Sequence, residues 1–224
     1  MIGITGALAM HNSEKDDDID FLVISAKNRL WLTRLLMVII LEALGRRRRP
    51  KDKKFKDKIC LNMFLDEETL RLAKAKQNLF TSHEIVQMKM IYNKNKTYER
   101  FLRANLWVRN YLPNAVKNQH TSEVVLRLRR TSGVEKKLLD FLEKLAYQFQ
   151  LRYMKSKVTK EQISPHSAFF HPKNRSEEIL REYEKRLKRI YFLTPEQKVG
   201  YIRCNEKKHY KKTKRSFKNN LQSY

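Results

Sequence analysis

Asp18 and Asp20 stand two residues apart in a stretch that otherwise reads Ile19, Phe21, Leu22, Val23, Ile24. Residues i and i+2 of a strand point to the same face. The spacing therefore sets two carboxylates side by side at the mouth of a sheet. Like charges so close are costly unless something positive sits between them. A divalent cation is the usual answer, because carboxylate oxygens are the donors that hard cations take. Ahead of the pair lie an apolar strand (Ile2, Ile4), a tight small-residue turn at Gly6-Ala7, a short helical piece and a polar loop over residues 11–17.

The elements that must hold this pair are set by the hydrophobic pattern. Ile2 begins a strand with central character almost at the first residue, so an N-terminal helix in front of it is expected to be missing. Residues 28–44, NRLWLTRLLMVIILEAL, read as a helix with Asn28 as N-cap and Gly45 as the C′ stop. It is apolar almost all round, which predicts burial on most of its surface. Its uninterrupted apolar run, residues 35–41 between Arg34 and Glu42, falls well short of the ~18–20 residues that cross a bilayer. Residues 46–58, RRRRPKDKKFKDK, form a basic loop broken by Pro50. Residues 58–65, KICLNMFL, read as a strand buried on both sides. Simple alternation puts Ile59, Leu61, Met63 and Leu65 on one face and Cys60, Asn62 and Phe64 on the other.

Beyond this strand the signals turn helical. Thr81 or Ser82 caps a segment through Met90, and a second helix covers residues 97–112 until Pro113 ends it. His83-Glu84 lacks the second histidine of an HExxH zinc helix. Residues 116–133 are polar and irregular. Residues 135–155 are amphipathic, with Leu138, Leu139, Leu142, Leu145, Ala146 and Phe149 on one side. A turn-rich connection holds His166 and His171, read as a packed loop rather than a metal pair. Ser176 caps a last helix through Phe192, carrying i,i+4 charge pairs such as Glu182–Arg186. The expectation is an α+β fold: a small mixed sheet with packed helices over residues 1–115, a helical region over 116–195, and a basic, disordered tail over 196–224.

The net charge is +25, from 49 Lys+Arg against 24 Asp+Glu. That points to a polyanionic partner, RNA or DNA first. Tyr201, Tyr210 and Phe217 interleave with lysines in the tail, a composition suited to a nucleic-acid strand. Cys60 and Cys204 lie far apart with no CxxC or CxxH spacing. A disulfide framework or a zinc motif is therefore not expected, and a reducing, cytoplasmic setting is. No secretory signal is read at the start.

Residues 5–23, TGALAMHNSEKDDDIDFLV, resemble the start of the nucleotidyltransferase superfamily, the DNA polymerase β-like fold. Its signature is a small Gly-Ser turn, a polar spacer and Asp-x-Asp on the next strand. A looser likeness to predicted nucleotidyltransferases of small-genome bacteria extends to about residue 115. The resemblance implies that Asp18 and Asp20 bind two Mg2+ ions, which hold the triphosphate of an NTP and activate an attacking hydroxyl. It also implies that backbone N–H groups at Gly6 and Ala7 meet the phosphates. The implied reaction is transfer of a nucleoside monophosphate to a hydroxyl acceptor.

Two departures stand out. The family's Ser after Gly is Ala7 here, and the third carboxylate expected on a neighbouring strand has no obvious counterpart. Asn62 is the polar residue inside residues 58–65, with Asp57 just before them. The loop Arg46, Arg47, Arg48, Arg49 would contact phosphate beside the carboxylates. The alternative is a non-catalytic nucleic-acid-binding protein that keeps the fold.

Overall fold

The computed structural model describes residues 1–49, 52, 54–116, 133–155, 162–170 and 175–191. The chain is α+β, as expected. Its elements are β1 (Ile2–Thr5), α1 (Gly6–Ala9), β2 (Ile19–Ser25), α2 (Leu30–Ala43), β3 (Ile59–Asp66), α3 (Leu79–Val86), β4 (Lys89–Tyr92), α4 (Thr97–Ala104), α5 (Gly133–Met154), β5 (Gln162–Ile163), β6 (Ser167–Phe169) and α6 (Arg175–Tyr191). One mixed sheet runs in the order β4-β1-β2-β3-β6-β5. Among the described strands only β2 and β3 pair parallel; the other neighbours pair antiparallel.

Each face of the sheet has its own hydrophobic layer. Leu22, Ile24, Met63 and Leu65 pack with Ile85, Phe101 and Val108 on one side. Val23, Leu61 and Phe64 pack with Leu30, Trp31 and Leu41 of α2 and Ala146 and Met154 of α5 on the other. The alternation read from residues 58–65 is broken between these layers. Register passes from Phe21↔Leu61 to Leu22↔Met63, so Asn62 is an extra residue in β3. An inserted residue flips the phase of every later residue in its strand, which sends Met63 and Leu65 to the face opposite Leu61.

Two local expectations give way to distant partners and one holds. Asn28 does not cap α2: it sits at φ 56° and donates its N–H to Asp66 Oδ2 at 3.0 Å. The cap comes from α5, where the Glu143 carboxylate accepts from Trp31 N at 2.7 Å and Leu32 N at 2.9 Å. Gly45 does end the helix as expected. At φ +63° it donates to Glu42 O while Arg46 N reaches Leu41 O, the paired bonds of a Schellman stop. The buried face of α5 is also not the one its leucines suggested. Leu138, Leu145 and Phe149 are 59%, 52% and 60% exposed, whereas Glu143 and Gln150 are buried with Ala146 and Met154. Gln150 is satisfied there by bonds to Arg34 at 2.5 Å and to Trp31 O at 2.8 Å. Arg34 in turn lies 4.1 Å above the Phe170 ring, and its burial, with Arg47 nearby, lowers its pKa to about 10.

The helix expected through Met90 stops at Val86, capped by Asn78 rather than Thr81 or Ser82, and β4 runs beside β1. The helix expected over residues 97–112 breaks at buried Asn105. Its side chain bonds Leu72 N, Leu70 O, Phe101 O and Trp107 Nε1, and a short 3₁₀ turn, Leu106–Asn110, replaces the rest. The division expected after residue 115 falls elsewhere. α5, β5 and β6 belong to a first compact unit, Met1–Arg175, because β6 pairs with β3 and α5 packs on α2. The second unit is Ser176–Tyr224, within which α6 carries the ion pairs Glu182–Arg186 at 3.2 Å and Glu177–Arg181 at 3.9 Å. His171 and the tail lie outside the described residues. Among the described residues no helix is long and apolar enough to cross a membrane.

Removing the cap that α5 supplies isolates its contribution. Glu143→Ala is expected to lower stability by about 1–2 kcal/mol, read as the shift of a urea unfolding midpoint at unchanged slope. Glu143→Gln, which keeps one acceptor oxygen, should fall between that variant and the parent.

Candidate metal centre

Three adjacent strands bring one row of side chains together. Thr5 of β1 pairs with Asp20 of β2, and Asp20 pairs with Cys60 of β3. Asp18 lies one residue before β2, and Ile19 N, bonded to Lys58 O at 2.9 Å, ties this start to the entry of β3. One oxygen each from Asp18 and Asp20 and the Cys60 Sγ all lie within 4.8 Å of one another. The third group beside the carboxylates is thus a thiol. Neither residue weighed from sequence supplies it: Asn62 is taken up by the bulge, and Asp57 is exposed in a turn at φ 58°. The buried Asn62 amide has no hydrogen-bond partner at Nδ2 or Oδ1 among the described residues.

The turn before the pair is built for close approach. Gly6 sits at φ +68°, and a Cβ placed there would collide with Asp20 Oδ2. Both the left-handed backbone and the contact require glycine. Ala7 lies half-buried in α1, the four-residue helix that this turn starts. Beyond it, His11 Nε2 and Lys89 Nζ of β4 are 2.8 Å apart.

The basic loop reaches the centre through one arginine. Residues 46–48 run beside β3, with Ile59 N bonded to Arg46 O at 2.7 Å and Arg48 N to Ile59 O at 3.0 Å. That pairing aims the Arg48 guanidinium at the Asp18 carboxylate, with which it forms an ion pair, while Phe55 lies 4.9 Å beneath it. Arg47 and Arg49 are held away by Glu42, at 2.6 and 2.5 Å. Their hydrogen bonds, Arg49 first, keep the Glu42 carboxyl down at about 2. Arg46 is exposed.

Burial, then the charges of Asp20 and Asp18, push the Cys60 thiol well above its ordinary range, against the pull of Arg48. A buried carboxyl also feels the charge of Asp20. Glu84 of α3 is 4% exposed. Burial, then the charge of Asp20, raises its pKa to about 8, with Lys76 opposing. Nothing in its local sequence separates it from a surface glutamate of an amphipathic helix; only the packing of α3 does. His166, expected in a packed loop, lies at the far end of β3, where its Nδ1 is 2.9 Å from Asp66 Oδ2.

Two of the three clustered donors suit Mg2+, which takes oxygen ligands; the thiol sulfur does not. No protein-family model, curated protein or solved structure matches the chain.

Two variants test this geometry. Gly6→Ala should cost about 1–3 kcal/mol from the left-handed backbone alone, with a further loss from the collision with Asp20, measured by chemical unfolding. For Glu84 the folded-state pKa of about 8 lies above its ordinary 4.5. Its contribution to stability is therefore fully present below 4.5 and is lost as pH rises through 8. Glu84→Gln should remove that decline, so that parent and variant unfolding curves diverge between about pH 5 and about pH 9 in the variant's favour.

Proposed function

We propose that the chain is a metal-dependent nucleotidyltransferase of the DNA polymerase β-like type, moving a nucleoside monophosphate from an NTP to a hydroxyl on nucleic acid or protein. One juxtaposition carries the reading: paired Asp18 and Asp20 carboxylates at the start of a central strand, with the backbone of Gly6 pressed against Asp20. A small-residue turn and then Asp-x-Asp is the pattern from which the resemblance began, and here the two parts meet in space.

Asp18 and Asp20 would hold the divalent cation, which supplies charge neutralisation for the triphosphate and a lowered pKa for the attacking hydroxyl. The amides that open α1, at Gly6 and Ala7, belong to a first turn without intrahelical acceptors and would bond phosphate oxygens. Lys89, whose Nζ lies 2.8 Å from His11 Nε2 beyond α1, adds positive charge. Arg48 would trade its contact with Asp18 for a phosphate once a cation neutralises that carboxylate. The charge of +25 suits a polyanionic acceptor, RNA or DNA.

A second reading is favoured by a specific observation. Arg48 already neutralises Asp18, and the third donor is a thiol. Both observations support a chain that keeps the fold and binds nucleic acid without catalysis.

Calorimetric titration with each NTP in Mg2+ separates the two. The transferase reading expects nucleotide binding that Asp18→Ala and Asp20→Ala abolish, and equal affinity in those variants sinks it. The second reading expects nucleic-acid affinity that falls steeply with salt and is indifferent to both substitutions.

A further inference from the structure

We propose that the cation this centre selects is a thiolate-accepting one of the Zn2+ type, held by Asp18, Asp20 and Cys60, in preference to Mg2+. The inference rests on the same site as the transferase reading and deepens it by naming the cofactor class, but its test does not depend on turnover.

The donor atoms carry the case. Two carboxylate oxygens and Cys60 Sγ lie within 4.8 Å of one another. Around a tetrahedral ion, with bonds near roughly 2.0–2.3 Å, donors stand roughly 3.5 Å apart. A contraction of at most about 1.3 Å closes the trio around such an ion. Three protein ligands from N, O and S, with a fourth position left for water or substrate, are the pattern of a catalytic zinc site. Mg2+ demands octahedral oxygen and gains nothing from sulfur. The row that carries the donors is also fixed by backbone pairing, with Asp20 set between Thr5 and Cys60. A ligand set built on paired strands is pre-positioned rather than assembled.

A second observation points to the same place. Thr5 is 1% exposed, and its Oγ1 has no hydrogen-bond partner among the described residues. As the cross-strand partner of Asp20 it shares that residue's face. A buried hydroxyl beside a metal-binding carboxylate is the outer-shell donor that orients such a ligand and is costly when left unused.

Binding balances without a redox partner. The Cys60 S–H bond breaks, its electron pair forms the sulfur–metal bond, and one proton leaves to buffer. Asp18 exchanges the Arg48 guanidinium for the cation, so the two positive charges of the ion replace the one carried off by the proton and the one withdrawn with Arg48.

The test uses the full chain under a non-thiol reductant, carrying Cys204→Ser so that Cys60 is the remaining thiol. Cd2+ is the probe, because its thiolate bond absorbs in the ultraviolet. One equivalent of Cd2+ should bring up that absorption, and one equivalent of Zn2+ should displace it. Cys60→Ser should abolish the band. Asp18→Asn and Asp20→Asn should each weaken affinity by at least the roughly 10–100-fold that loss of an outer-shell partner costs. A large excess of Mg2+ should leave the band in place. The proposal is overturned by no band in the Cys204→Ser chain, by displacement with Mg2+, or by unaltered affinity in folded Asp variants. Cd2+ binding without nucleotide binding would leave this inference standing and the transferase reading fallen; nucleotide binding in Mg2+ with no Cd2+ band would do the reverse.

Discussion

The parallel pairing of β2 with β3 is the constraint from which the first unit is built. Both strands are interior to the sheet, so each must present apolar side chains to a layer on either side, and their relative phase decides which residues meet which layer. Asn62 sets that phase. Before it, β3 aligns Cys60 with Asp20; after it, Met63 and Leu65 join the layer of Leu22 and Ile24. Without the extra residue, the strand could not both align its thiol with the acid pair and fill the two layers as it does. Bulges recur beside functional sites because they re-aim a side chain without moving the sheet.

Charge is distributed by the same logic of position. An overall +25 says little about any one cation. In the basic loop, the pairing of residues 46–48 with the start of β3 separates neighbours of identical type. Glu42 gathers Arg47 and Arg49 at the end of α2, while Arg48 is carried to Asp18. The centre is therefore compensated on one carboxylate and enclosed by further acid from Glu84, whose raised proton affinity reports the burial and crowding. Such compression of acids, a thiol and a guanidinium into one small volume is costly for folding alone and marks the cluster as the candidate centre.

The other face of the sheet shows polar groups used as structure. Glu143, Gln150 and Arg34 join α5 to α2 through groups that are buried yet bonded. The Glu143 carboxylate satisfies two amides that the start of a helix leaves without partners. This link is specific in direction where apolar packing is not, and it holds α2 against the sheet so that the loop after it enters beside β3.

Much of this was legible in the residues themselves. The period-two spacing of Asp18 and Asp20, the small-residue turn at Gly6 and the stop at Gly45 depend on bonds and torsions a few residues long, and each appears where local chemistry put it. The burial expected over most of α2 does not, since Leu36, Ile39 and Ile40 are exposed and only one face of the helix is covered. The features that were not legible depend on partners far along the chain. Cys60 faces the acids because β3 pairs with β2 so that it stands opposite Asp20, and Asn62 does not because a bulge, invisible to alternation, takes it out of the ladder. Glu84 becomes a buried acid because α3 packs over the sheet. The buried face of α5 is chosen by Arg34 and the amides of α2 rather than by its own leucines. Asn28 loses its capping role to a carboxylate more than a hundred residues away. Local pattern determines which elements form, but the desolvation and pairing of polar groups, which only tertiary contacts supply, decide what faces the centre.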